Sequence, residues 1–297
     1  MTRHNLGHGP WTVYGSSKSR VSKGFFSPEN MIWRVDRELA LLLAGGRALL
    51  MQLAHPKVAA GVAEHSHFKD EPLARLHRTM STMWSIVFDD KSQACTALGG
   101  VKNIHKKVRG LIQPTEPLPT GTPYDALDAE LLLWVHATLV DSAMLAYELF
   151  VKPLTADEKS SYYHDTKRLA YLFEIRETIL PVSVTDFSGY MQRMLIGDTI
   201  TVGQSARLLA QEILMPRSWI LKPAAPIFHL ITAGLLPQRL REGYGLNWGR
   251  RKEKTFWRLA KTVRILRPLV PAPLRIVPNA RRAEKAMRRR DKNCPKF

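Results

Sequence analysis

Two histidines lie inside apolar helical runs. His105 follows Val101 and Ile104 and precedes Val108, so the spacing places its ring on or beside a buried helix face. His136 sits in the run from Leu131 to Tyr147, with Thr138, Asp141 and Ser142 close by in sequence. A neutral imidazole presented from a helix into an apolar cavity is one way to hold a haem iron. The plainer alternative is a core histidine satisfied by one hydrogen bond, and periodicity alone does not separate the two. Upstream, Arg78 and Thr79 come three and four residues after Arg75, so the three share one helix face. Two guanidinium groups and a hydroxyl suit a place where negative charge develops. A surface salt bridge is the plainer alternative for Arg75.

Other chemistries lack their motifs. There is no G-x-G-x-x-G and no P-loop, so no nucleotide fold is indicated. There is no H-E-x-x-H and no G-x-S-x-G. The two cysteines, Cys95 and Cys294, have no zinc-finger spacing. Glu64-His65-Ser66-His67 reads as a polar loop, with His65 the better placed of its two histidines to face a cavity.

The elements that must carry these residues are helical. Ser27-Pro28-Glu29-Asn30 has the form of a helix start. Apolar residues recur at three- and four-residue steps from Met31 to Ala54, interrupted at Gly45-Gly46 and stopped at His55-Pro56. Lys57–Val62 reads as a short helical turn, and further helices are predicted over Leu73–Phe88 and about Ser92–Gly110. Pro114, Pro117, Pro119, Gly121 and Pro123 make Leu111–Tyr124 a loop. Asp128 is an N-cap for Ala129–Phe150, whose apolar character on all sides points to a protein core. Thr155 and Glu158 form a capping box opening a helix to about Phe173, and Ser183–Met194 and Ser205–Leu214 complete the set. No alternating strand pattern occurs, so the fold class is all-α.

The chain of 297 residues carries a formal charge of +18. From Arg239 to the end, nineteen Lys and Arg oppose four Asp and Glu, a net +15, which leaves +3 for residues 1–238. Phe256–Leu266 reads as a basic amphipathic helix of the kind that lies on anionic membranes. The competing reading is a solvated basic face on a helix packed against the body. Residues 216–237 are apolar, but Lys222, Pro223 and Pro226 make them a poor membrane span. Without a signal-peptide pattern at the N-terminus, the expected location is cytoplasmic, with peripheral membrane contact through the basic end.

Several stretches resemble the DUF2236 family, that of the mycophenolate-pathway oxygenase MpaB and the latex-clearing rubber oxygenases. They are Gly46–Val62 (GRALLMQLAHPKVAAGV) with His65, Ser66 and Phe68; Arg75-Leu-His-Arg-Thr79; Ile104-His-Lys-Lys-Val-Arg-Gly110; Trp134-Val-His-Ala-Thr-Leu-Val-Asp-Ser142; and Leu236–Leu246 (LPQRLREGYGL). The resemblance spans residues 30–246, leaving an N-terminal arm (1–29) and a basic helical extension (247–297). It implies a globin-related helical core holding haem b, with His105 as the proximal iron ligand. Arg75, Arg78 and Thr79 then match a distal Arg-x-x-Lys-Thr pattern. Arg78 replaces the lysine, and a guanidinium does not readily lose its proton or ligate iron. Arg109 and His136 become cofactor-binding candidates. The implied function is a haem-dependent oxygenase using dioxygen on a hydrophobic, alkene-, isoprenoid- or lipid-like substrate. The competing functions are a haem sensor or carrier without turnover, and a basic membrane-associated scaffold; nucleic acid is not an expected partner.

Overall fold

The computed structural model describes residues 24–65, 72–215 and 222–293, with side chains described outside 72–78 and 290–293. The lead-in arm up to residue 23, His67, residues 216–221 of the apolar segment and Cys294 lie outside the described residues. Among those described there are fourteen α-helices and one small sheet, so the fold is all-α.

Helix α1 (Met31–Asp36) buries Met31, Ile32, Trp33 and Val35. The periodic pattern predicts that it runs on to an interruption at Gly45-Gly46. Instead the backbone becomes extended at Glu38 (φ −83°, ψ 118°), and a 3-10 turn, Leu39–Ala44, follows. The cause is remote in sequence. The buried Glu38 carboxylate accepts a hydrogen bond from Arg267 Nε at 3.0 Å, and the Glu38 backbone bridges Ile276. Gly45-Gly46, the predicted interruption, instead opens α2 (Gly45–Leu53). A Cβ on Gly46 would lie 2.1 Å from Thr232 Oγ1, so the missing side chain is what lets another helix pack here. The break at His55-Pro56 is found: α3 (Pro56–His65) leaves the Leu39–Leu53 run at 104°.

Next come α4 (Pro72–Phe88) and α5 (Lys91–His105), packed together and joined by Asp89-Asp90 alone. Asp90 caps α5 by accepting from Gln93 N at 3.0 Å. Helix α5 ends at His105, five residues before the predicted end at Gly110. The chain there enters β1 (Arg109–Leu111), antiparallel to β2 (Pro123–Asp125) in the segment predicted as loop. Gly110 pairs with Tyr124, and a Cβ on that glycine would fall 2.5 Å from Tyr124 Oη. The Tyr124 hydroxyl donates to Glu64 of α3. This hairpin is held by a partner 60 residues away, which local pattern cannot reveal.

The Asp128 carboxylate caps α6 (Ala129–Phe150), accepting from Glu130 N at 2.9 Å. By length and composition α6 is the one helix among the described residues able to cross a membrane. In this structure it packs against α2, the 39–44 turn and α1, and Trp134 Nε1 donates to the Met51 carbonyl at 3.2 Å. Then follow α7 (Ala156–Leu172), with the predicted Thr155–Glu158 capping box, and α8 (Val184–Ile196), with a second box from Ser183 and Asp186. Helix α9 (Gln204–Leu214) packs on α2 and α3. Helices α10 (Ala225–Leu235), α11 (Gln238–Gly243), α12 (Arg250–Leu266), α13 (Ala272–Arg275) and α14 (Pro278–Asn293) complete the chain. Helix α12 rests on α6 and α10, and α14 on α4. Glu284 of α14 accepts from Trp33 Nε1 at 3.1 Å and pairs with Arg37, so the basic end is sewn to the body.

Candidate active site

Helix α5 presents one inward stripe. Ala94 is buried, Ala97 and Leu98 pack against the main core, and Val101 and His105 continue the same stripe half-buried. Ile104, expected inside, points out and is 63% exposed. His105 therefore closes the buried stripe on the last residue of the helix. Burial lowers its pKa, so near neutral pH the ring is the uncharged form that can donate a lone pair to a metal. Among the described residues no hydrogen bond engages either of its ring nitrogens.

The chain around His105 is fixed from three sides. Lys102, one turn earlier, pairs with Glu174 just beyond α7, a residue held at φ 62°. The Val108 carbonyl accepts from Ala126 N at 2.9 Å, tying the segment after His105 to the approach of α6. His65 Nε2 lies 3.1 Å from the Arg109 carbonyl. His65 is exposed, and in place of the expected cavity it meets this backbone carbonyl. The Arg109 side chain is also exposed, on the first residue of β1.

His136 has another environment. It is 7% exposed on α6, and its Nε2 is buried with no hydrogen-bond partner. Burial pushes its pKa down to about 4, so the ring is neutral. An unpaired polar atom in a protein interior is uncommon and calls for a reason. Asp141 and Ser142, close to His136 in sequence, bond instead to Arg47: its Nη1 donates to Ser142 Oγ at 2.6 Å and its Nη2 to the Asp141 carboxylate. Among the described residues His105 and His136 make no hydrogen bond to each other.

Sequence reasoning missed a third neutral imidazole. His55 is buried at the bend between α2 and α3, and burial first, then Lys57, lowers its pKa to about 4, with Asp128 opposing. The Pro56 that ends α2 is the only local sign that this histidine occupies a special place.

Helix α4 carries the remaining candidates. Thr79 is exposed, one turn before Met83, which packs against the core. Arg75 and Arg78 lie in α4, but their side chains fall outside the described residues. A two-residue link joins α4 to α5, and the two helices pack together.

A family model described as the catalytic domain of the ER-bound oxygenase mpaB/B′ and rubber oxygenase matches residues 33–265. The chain belongs to this family. The match begins within α1 and runs through most of α12, so it includes every helix named above as bearing a candidate residue. Two relatives are each 28% identical over 230 residues, covering 75% of this chain and 87% of their own length. They are the uncharacterized proteins Rv2237 of Mycobacterium tuberculosis and Mb2261 of Mycobacterium bovis. No solved structure matches the chain. Membership places the protein among oxygenases, and so among oxidoreductases.

The donor set can be tested against a haem. Among the described residues no three His, Cys, Asp or Glu side chains gather to cage an ion. An iron held in its own macrocycle asks the protein for an axial donor, and one neutral imidazole at an apolar edge can supply it. His105 meets that requirement, and the unpaired Nε2 of His136 is a further buried polar atom awaiting a partner. The residues present fit the group.

Proposed function

We propose that the protein is a haem b-dependent oxygenase that acts with dioxygen on a hydrophobic substrate, of alkene, isoprenoid or lipid-like character. The observation that carries this reading is a neutral imidazole, His105, at the end of the inward stripe of α5 in a chain of the mpaB and rubber oxygenase family. His105 would be the residue that holds the iron. A haem bound there supplies the redox centre at which dioxygen is reduced.

The chain's own residues set the conditions. Ala97 and Leu98 anchor the inward stripe of α5 in the apolar core. The Lys102–Glu174 pair and the hairpin after Val108 fix the turn from which His105 projects. Arg109, cationic, exposed and four residues on, would pair with a haem carboxylate. By the family pattern Arg75, Arg78 and Thr79 would supply guanidinium and hydroxyl donors to the negative charge that dioxygen chemistry develops. His136 is assigned to the wall of the same site, its Nε2 free to meet a buried polar group.

The test is the absorption spectrum of the purified chain, before and after reconstitution with haem. A Soret band is expected, and it is expected to fall sharply in His105→Ala while the far-ultraviolet dichroism stays unchanged. Absence of a Soret band after reconstitution removes the haem reading. Wild-type haem content in His105→Ala removes the ligand assignment. Oxygen uptake with terpenoid or unsaturated lipid substrates then separates an oxygenase from a carrier.

A further inference from the structure

We propose that α12 and the turn that follows it form a docking face for an anionic lipid bilayer. The inner side of α12 is accounted for, since Phe256, Leu259, Ala260 and Val263 pack against α6 and α10. On the opposite side Arg250, Lys254, Arg258 and Lys261 follow one another at three- and four-residue spacing, all exposed, and the stripe ends at Ile265. This is a basic face that finishes in an apolar tip.

The tip is built rather than frayed. Beyond Ile265, which is 59% exposed, the chain turns through Leu269 and Leu274, which are 78% and 71% exposed. Arg267, between them and α12, is bound to the buried Glu38 carboxylate through both Nε and Nη2. On the far side Ile276 bridges Glu38, and Val277 N donates to the Arg37 carbonyl at 2.8 Å. The turn is therefore clamped at both ends, and Pro268, Pro271 and Pro273 restrict the backbone between them. Its leucines are held out in water by a rigid frame.

The one acid of α12, Glu253, stays ionised and sets a single negative charge against the four cations of the stripe. Both oxygens of Glu253 are engaged by indoles, Oε2 by Trp248 Nε1 at 2.8 Å and Oε1 by Trp257 Nε1 at 3.1 Å, and those bonds hold its carboxyl below the usual range. Trp257 is itself half-exposed at the edge of the basic stripe, where an amphipathic ring suits a headgroup layer. The occupant that fits cations, an interfacial tryptophan and projecting leucines together is a negatively charged bilayer surface. Nucleic acid would meet the cations equally well but has no use for the leucines. The inference is independent of haem.

The test is co-sedimentation of the full chain with phosphatidylcholine vesicles, with and without phosphatidylglycerol, at low and high salt. Binding is expected only to the anionic vesicles and is expected to weaken with salt. Lys254→Glu/Arg258→Glu/Lys261→Glu is expected to lower partitioning by two orders of magnitude or more, at roughly fivefold per cation neutralised. Leu269→Glu/Leu274→Glu is expected to lower it by about tenfold or more while leaving the basic stripe intact. All these side chains are exposed, and circular dichroism checks that each variant folds. Equal binding to neutral vesicles, no binding to either, or wild-type binding by the leucine variant overturns the proposal. So does duplex DNA that competes fully with the vesicles and is bound equally by the leucine variant.

Discussion

The guanidinium of Arg47 on α2 reaches the Asp141 carboxylate on α6, and its Nε donates to the Leu235 carbonyl on α10 at 2.9 Å. One side chain thus joins three helices. Arg47 is 4% exposed, so its charge depends on this pairing. Arg47→Ala is expected to lower the unfolding free energy by about 3 kcal/mol, measured by urea denaturation. Asp141→Asn keeps an acceptor and should cost about half as much. A loss under about 0.5 kcal/mol for Arg47→Ala would refute the view that this residue fastens the core.

Two adjacent glycines should respond in opposite directions. A Cβ on Gly46 would meet Thr232 Oγ1 at 2.1 Å and Phe228 Cζ at 2.9 Å, whereas one on Gly45 meets nothing within 4 Å. Gly45 has φ −58° and ψ −42°, which alanine adopts freely. Gly45→Ala should stabilise by about 0.5 kcal/mol, and Gly46→Ala should destabilise by about 2 kcal/mol. Thermal melts of the two variants side by side decide the matter, and equal midpoints would contradict the packing described for α2.

Stability should depend on pH through groups of opposite sign. Burial raises the Asp36 pKa to about 7, against 3.8 ordinarily, so the folded chain binds a proton there that the unfolded chain releases. This carboxyl costs the fold nothing below about pH 4, and its penalty grows as pH rises to about 7. Asp36→Asn should therefore gain on the wild type across that window, by at most about 4 kcal/mol. His55 and His136, lowered to about 4, act the other way: their penalty is absent above 6.5 and grows as pH falls towards 4. Urea midpoints taken from pH 4 to 8 test both; a flat difference between Asp36→Asn and wild type would mean that Asp36 is ionised in the fold.

His136→Leu separates structure from cofactor. It removes a buried ring nitrogen that has no partner, so the haem-free chain should be stabilised or unchanged, by up to about 1 kcal/mol. If His136 lines the haem site, the same variant should hold less haem at equal protein concentration, read from the Soret absorbance. Full haem occupancy in this variant would assign His136 to the core alone.

Legibility in the sequence followed the range of each interaction. Helix α6 could be bounded to the residue because its cap, Asp128, and its apolar run are local. The Thr155–Glu158 box was equally plain. The break at Glu38 is not legible, and the pattern points to Gly45 instead, because its cause, Arg267, is 229 residues away. The hairpin at 109–125 was read as helix and loop because its strands are three residues long and depend on Tyr124 meeting Glu64. At the site, the spacing Val101–His105 puts the ring on or beside the buried face, where it is half-buried. It could not show that Ile104 faces out, that Asp141 belongs to Arg47, or that His55 is buried, since each depends on which helix lies opposite.

Gly46 faces Thr232, and a Cβ on Gly234 would sit 2.5 Å from the Phe256 ring, so α10 is seated through absent methyl groups on two fronts. Among homologues the sizes at 46 and 232, and at 234 and 256, should therefore drift in compensating pairs, a bulkier residue at one position being matched by a trimmed one across the seam.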